Sequence, residues 1–213
     1  MFLASTIDSN AKRKQTQQHA VRHLFSCHRC SSPAFVRPGT NRPVFTITAN
    51  DSSIKFYVKA SVEIKGTFDK WDASLTFTSP DVTTGVLDVK IQAASVDTGS
   101  QMKDDKLKSK DFFNVDHDPL ITFHSTKIVQ TGPDSFDVLG TFTIRGVSKP
   151  ETLTLTVSGQ GTGSGAIKGT MAFDRKDYGM NKGIPFIKIA DRVEVSVDLK
   201  GKRISGPPLV FKQ

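Results

Sequence analysis

The feature that most constrains this chain is a two-residue period. Ile54, Phe56 and Val58 alternate with Lys55, Tyr57 and Lys59, and Leu87, Val89 and Ile91 with Asp88, Lys90 and Gln92. Leu153, Leu155 and Val157 alternate with Thr152, Thr154 and Thr156. Val193, Val195, Val197 and Leu199 alternate with Glu194, Ser196 and Asp198, and Phe136, Val138, Phe142 and Ile144 share one parity. Successive side chains of a strand point to opposite faces, so each run reads as a strand with one dry and one wet face. Further runs at 62–69, 73–79, 120–129 and 166–173 bring the count to about eight. Turn residues such as Gly132-Pro133-Asp134 and the glycines from Gly159 to Gly165 separate them.

A dry face shared by so many strands must be buried by stacking two sheets or by closing one into a barrel. Short connections favour an up-and-down order, and closure removes exposed edges. The expected fold is all-β: an antiparallel up-and-down barrel of about eight strands. Strands of this length span roughly 26–33 Å at ~3.3 Å per residue. The inward side chains would then either fill the barrel as an ordinary core or surround a long, thin cavity.

One segment breaks the period. Residues 97–119, which contain "DKLKSKDFFNVDHDP", show no alternation, and a connection this long is structured or functional. Ser100 reads as a helix N-cap, with Met102 and Leu107 on the apolar side and Phe112 and Phe113 following. The segment is expected to form a short helical lid across one barrel end. Lys103, Lys106, Lys108 and Lys110 would form its wet face, balanced by Asp104, Asp105 and Asp111, or would meet an anionic headgroup or membrane.

Residues 1–42 have a different texture. They carry seven basic side chains and one acid, whereas the remainder holds 22 basic and 20 acidic residues. The formal +8 charge therefore sits mostly outside the strand-forming body, and nucleic-acid binding is not expected. The expected organisation is a disordered basic extension over 1–42, the barrel over 43–205 and a tail over 206–213. The extension shows no recognisable export signal; its Arg-rich, Ser-rich composition is similar to an organelle transit peptide, and a start placed too far upstream would look the same. Cys27 and Cys30 have the spacing of half a zinc site with no second pair following, and are read as incidental.

Catalytic chemistry is not expected. Asp116, His117 and Asp118 point to alternating sides of an extended chain and do not converge by themselves, and His124 falls on the outward parity. No nucleophile elbow, phosphate loop or His-Glu-x-x-His motif appears. Arg175 is expected to pair with a nearby aspartate, and Trp71 and Tyr178 to anchor packing or touch ligand.

"ASVDTGSQMKDDKLKSKDFFNVDHDPLITFHST" (94–126) resembles the signature of the YceI-like family of lipocalin-like polyisoprenoid-binding proteins. "FTIRGVSKPETL" (142–153), "FDRKDYGMN" (173–181) and "DRVEVSVDLKGKR" (191–203) resemble its later motifs, in order and spacing, over about 43–203. The resemblance implies a lipocalin-like barrel with an elongated apolar cavity that holds a quinone tail or polyprenyl phosphate for sequestration or transport. It implies no enzymatic activity and no cofactor, with homodimers and membrane-surface contact among family traits and a periplasmic or secreted location favoured; a genuine start without an export signal would instead mean cytoplasmic. Asn50-Asp51-Ser52-Ser53 replaces a family His-Ser pair, and Lys59-Ala60-Ser61-Val62 shortens a family link; both are expected to border the barrel mouth. The alternatives are a filled barrel used as a stress-related interaction module, and a carrier of another hydrophobic ligand such as a fatty acid amide.

The expected cavity lining is the inward parity: Phe56, Val58, Phe68, Leu75, Phe77, Leu87, Val89, Ile91, Ile121, Phe123, Val138, Phe142, Leu155, Met171, Phe173, Val195 and Val197, with Phe112 and Phe113 from the lid. Such a ligand offers almost no hydrogen bonds, so affinity must come from apolar burial. At about 0.3 kcal/mol per heavy atom, a chain of about 20–40 carbons reaches roughly 6–12 kcal/mol.

Overall fold

The computed structural model describes residues 42–61, 63–183 and 187–212. The extension before Arg42, with its two cysteines, lies outside the described residues. Eleven strand segments form one antiparallel sheet: β1 (Val44–Ile47), β2 (Ser53–Ala60), β3 (Ile64–Phe68), β4 (Trp71–Phe77), β5 (Gly85–Gln92), β6 (Val96–Asp97), β7 (Leu120–Gln130), β8 (Ser135–Ile144), β9 (Val147–Ser158), β10 (Ser164–Asp174) and β11 (Ile189–Ser205).

Eleven segments make eight staves. β1 and β2 follow one another along the same edge of β11, with Ile47 opposite Gly201 and Ser53 opposite Asp198. A single 3-10 turn over Ala49–Asp51 bends the chain between them. β3 and β4 are joined through Asp69 and Lys70, and β5 and β6 through a second turn at Ala93–Ser95. Hydrogen bonds from Asp69 N to Ser95 O and from Gln92 N to Lys70 O carry the ladder across both bends. The pairing β1–β4 and β1–β11 then closes the ring. This is the closed, up-and-down, eight-stave barrel that the alternation predicts.

Inward positions are buried as the parity requires. β8 reads Phe136, Val138, Gly140, Phe142 and Ile144 on its dry face. Each buried Phe, Ile or Leu contributes about 1.5–3 kcal/mol over its exposed state, so the wall itself is the main source of stability. The hairpin between β8 and β9 turns on Arg145 and Gly146, both left-handed at φ 55° and 70°. Two such residues match the twist of the flanking strands, which fixes the register Ile144 to Val147.

One parity break is local. β7 buries Ile121, Phe123 and Ser125, then shifts register and buries Ile128. The Ser125 hydroxyl accepts a hydrogen bond from Leu87 N at 2.8 Å, satisfying a buried backbone donor beside the bulge.

Two expectations need correction. Asn50 to Ser53 lie at the bend between β1 and β2, beside Lys200, halfway along the wall rather than at a mouth. In the lid helix α1 (Gln101–Lys108), Leu107 is buried but Met102 is 84% exposed, because only one turn's width of the helix meets the barrel. Ser100 occupies the N-cap position without a side-chain bond. Asp104 reaches back instead, accepting from Thr98 N at 2.9 Å and Thr98 Oγ1 at 2.7 Å.

Candidate functional site: an apolar lumen with two closed ends

The lumen holds two apolar cavities in series, of about 120 Å³ and about 80 Å³. Their walls share one residue, Ile54. The smaller lies under the lid. Of the lining expected from the sequence, Phe56, Val58, Phe68, Ile91, Phe112, Phe113, Ile121, Phe142, Phe173 and Val195 surround it. Leu75, Phe77, Leu87, Val89, Val138, Leu155 and Val197 surround the larger, at the far end. Phe123 and Met171 are buried but line neither. Phe123 is paired with Val89 of the far chamber and Phe142 of the lid-side chamber, and so sits at the level between the two. Met171, between Phe173 and Gly169 on β10, sits at the same boundary.

Inward glycines explain why bulky side chains do not fill the lumen. Gly66 lies opposite Phe56, and an added Cβ would come 2.7 Å from the Phe56 ring. Gly85 lies opposite Phe77, with the ring 2.8 Å from such a Cβ. The Phe123 ring lies the same way over Gly140, and Leu155 and Val197 over Gly169. Each glycine is a recess into which a neighbour's side chain lies back against the wall.

The lid closes one end. Leu107, Phe112 and Phe113 are buried, and Phe113 packs on Phe68 with ring centroids 5.9 Å apart. Asn114, left-handed at φ 54°, turns the chain, and its carbonyl accepts from His117 N and Asp118 N. Asp116-His117-Asp118 is thus the turn into β7, and no group of three potential metal-ligating side chains occurs among the described residues. Lys106 pairs with Asp111 at 2.6 Å and lies over the Phe112 ring, which holds the Asp111 carboxyl below the usual carboxylate range.

Beside the lid, Arg175 is buried in the chamber wall with each guanidinium nitrogen engaged. Nη2 donates to Asp191 Oδ1 at 2.9 Å, Nη1 to the carbonyls of Lys182 (2.9 Å) and Met180, and Nε to Ala190 O at 3.3 Å. Asp191 also meets Lys176 Nζ at 2.6 Å, and that hydrogen bond, then the charges of Lys176 and Arg175, lowers its pKa. Tyr178 is fully buried between Phe142 and Phe173, and its hydroxyl donates to Glu151 Oε1 at 2.9 Å. Burial, reinforced by Glu151, pushes the phenol's pKa well up. Arg175 and Tyr178 are structural locks whose polar atoms are occupied. His124 lies on the outer wall, paired with Asp88 at 2.5 Å.

The far end contains what the sequence reading missed. Residues 208–211, expected as a tail, fold back over the larger chamber, where Pro208, Leu209 and Phe211 join its lining. Phe211 meets Phe136 edge-on at 6.0 Å. The rim opposite is the turn from β9 to β10, with Ser158, Gln160 and Ser164 among its glycines, and Arg203 from β11. Parity could have added Ile54, Phe136, Ile144, Val193 and Leu199; nothing periodic marks Met180, Leu209 or Phe211.

An eight-stave antiparallel barrel with an apolar lumen and a helical lid is a lipocalin-like fold. Residues 45–201 match the YceI-like domain, and the chain belongs to that family. Among relatives, it is 32% identical to a UPF0312 protein of Pseudomonas aeruginosa over 143 residues, 65% of this chain and 73% of the relative. A UPF0312 protein of Azotobacter vinelandii is 29% identical with the same coverage. Among solved structures, BcnA of Burkholderia cenocepacia superposes with a TM-score of 0.66 at 26% identity, covering 73% of this chain and 99% of BcnA. A polyisoprenoid binding domain from Saccharophagus degradans, implicated in plant cell wall breakdown, shares the fold with a TM-score of 0.59 at 16% identity, over 76% of this chain and 99% of that one.

Proposed function

We propose that the protein is a non-catalytic carrier that holds an isoprenoid lipid, of quinone or polyprenyl type, in the barrel lumen. The observation that carries this reading is the pair of serial cavities whose wall is almost wholly apolar, kept open by recessed side chains. Membership of the YceI-like family supports it, and so does the polyisoprenoid-binding description of the Saccharophagus domain. The nineteen residues expected as lining are the proposed contacts.

Size bears on the ligand's state. An apolar cavity of about 150 Å³ takes one benzene, so each chamber as it stands accommodates a short apolar piece. A chain of about 20 carbons needs both chambers joined, with Phe123 and Met171 shifted aside, and contributes about 6 kcal/mol at 0.3 kcal/mol per heavy atom. The lumen is therefore expected to widen along its axis on loading.

Native mass spectrometry of gently purified protein tests the reading. Co-purified lipid, or uptake of a quinone or polyprenol at one per barrel, is expected. Protein that repeatedly comes without lipid and takes up neither overturns it in favour of a filled barrel that serves as an interaction module.

A further inference from the structure

The closed ring has two ends, and their chemistry differs. At the lid end the wall is apolar, and among the described residues its one lining cation, Arg175, has every guanidinium nitrogen engaged. At the far end the inward column of β11 runs Val193, Val195, Val197, Leu199, Gly201, Arg203: apolar four times, then a glycine, then a cation. Arg203 is half-buried and lines the larger chamber. Its guanidinium lies beside the β9–β10 turn, 3.9 Å from where a Cβ on Gly163 would be. Among the described residues it enters no ion pair. Its one side-chain hydrogen bond to a described residue is a long one, Nη1 donating to Gly206 O at 3.4 Å. Below it Gly201 leaves open space, since an added Cβ would meet only Thr46 O at 4.0 Å.

A partly desolvated guanidinium at the rim of an apolar chamber is unfavourable until an anion completes it. Its planar fork suits the oxygens of a phosphate, which it binds bidentately. Phosphate is also the anionic group that a prenyl alcohol carries when esterified. Resting on the isoprenoid reading, we infer that the far mouth is the headgroup site: Arg203 receives the phosphate of a prenyl phosphate whose chain runs through the far chamber toward the lid.

The segment over the mouth is held by few bonds. Val210 N donates to Pro80 O at 2.8 Å, and Val82 N to Val210 O at 3.3 Å. The Gln130 side chain clasps the Lys212 backbone, donating to its carbonyl and accepting from its N–H, each at 2.8 Å. Those bonds release the strap without disturbing a single rung of the ring. Arg203 then exchanges the long bond to Gly206 for the phosphate.

The test compares geranylgeranyl phosphate with geranylgeraniol by calorimetry on the full chain. The wild type is expected to prefer the phosphate by about tenfold or more, the scale of one charge-assisted contact. Arg203→Gln is expected to abolish that preference, and Arg203→Lys to retain part of it. A preference that survives in Arg203→Gln overturns the headgroup site and leaves the carrier reading standing. Failure of the wild type to bind either probe overturns the carrier reading first. Should Arg203→Gln not fold, Arg203→Lys decides: a phosphate preference undiminished from wild type contradicts the bidentate site.

Discussion

The ring of Phe113 in the lid rests on the ring of Phe68 in β3, with centroids 5.9 Å apart, and Phe68 in turn packs on Phe56 at 5.6 Å. This stack ties the lid to the wall it covers. Phe113→Ala is expected to cost about 3 kcal/mol through the cavity it leaves, read as a lower denaturant midpoint. Phe113→Leu, which keeps most of the volume, is expected to cost about 1 kcal/mol. A loss in Phe113→Ala no greater than in Phe113→Leu would show that the lid is not anchored there.

Arg175 satisfies three backbone carbonyls and one carboxylate from a buried position. Arg175→Met keeps the stem but strands those acceptors, and a loss of about 2–4 kcal/mol is expected in urea unfolding. A variant as stable as the wild type would mean that water replaces the guanidinium freely.

Tyr178 and the aspartates set opposite pH limits. The phenol's folded pKa is raised, so the folded state holds its proton more tightly. Its contribution is complete below the unfolded pKa of about 10 and is lost as pH rises past that value. Melting temperature should fall above pH ~10, and Tyr178→Phe should flatten that limb. Asp111 and Asp191 have lowered pKa values, so their contribution is present above about pH 4 and is lost as pH falls through the folded values. Asp191→Asn should weaken the acid limb; an unchanged limb would place the acid sensitivity elsewhere.

Phe123 lies at the level between the chambers. Phe123→Ala should merge them, at a cost of about 3–5 kcal/mol, and raise uptake of longer prenyl alcohols relative to shorter ones. Chain-length preference identical to the wild type would remove Phe123 from the partition.

The recess glycines separate bore from stability. A Cβ at Gly169 would meet Leu155 and Val197 side-chain atoms, 2.5 and 2.7 Å away, and the flexible end of Leu155 can swing into the lumen while Val197 gives by a small χ1 shift. Gly169→Ala should therefore narrow the far chamber and weaken ligand uptake for about 1 kcal/mol of stability. At Gly140 the first contact is His124 O, at 2.6 Å, and backbone cannot swing aside. Gly140→Ala should cost more, about 3 kcal/mol. Equal losses at the two sites would mean that the recesses are interchangeable.

The barrel was legible because burial in a sheet has the same period as the sequence. Val193 to Leu199 and Leu153 to Val157 declare their faces residue by residue, and nothing else accommodates so many of them. Legibility failed where contacts run across the chain. Met102 and Leu107 look equivalent on a helical wheel, and only the position of the barrel end decides that one is buried and the other bare. Leu209 and Phe211 have no periodic neighbours; their place depends on Pro80 and on a glutamine 82 positions from Lys212. The glycines in the wall read as weak points of strands, and their use emerges only with the ring that lies across each.

The closed ring also sets a clock. With β1 paired to both β4 and β11 the ring is closed, and its narrowest join is the single pair Val44–Thr76 between β1 and β4. For a molecule that leaves through an end, the lid or the strap has to open first. Residence time is then governed by the opening rate of two short segments, while affinity is governed by the wall. Substitution at Gln130, which clasps the strap from outside the chamber lining, is expected to shift residence time and leave affinity almost where it was; under the proposed carrier reading, that contact sets whether the barrel is a slow store or a quick shuttle.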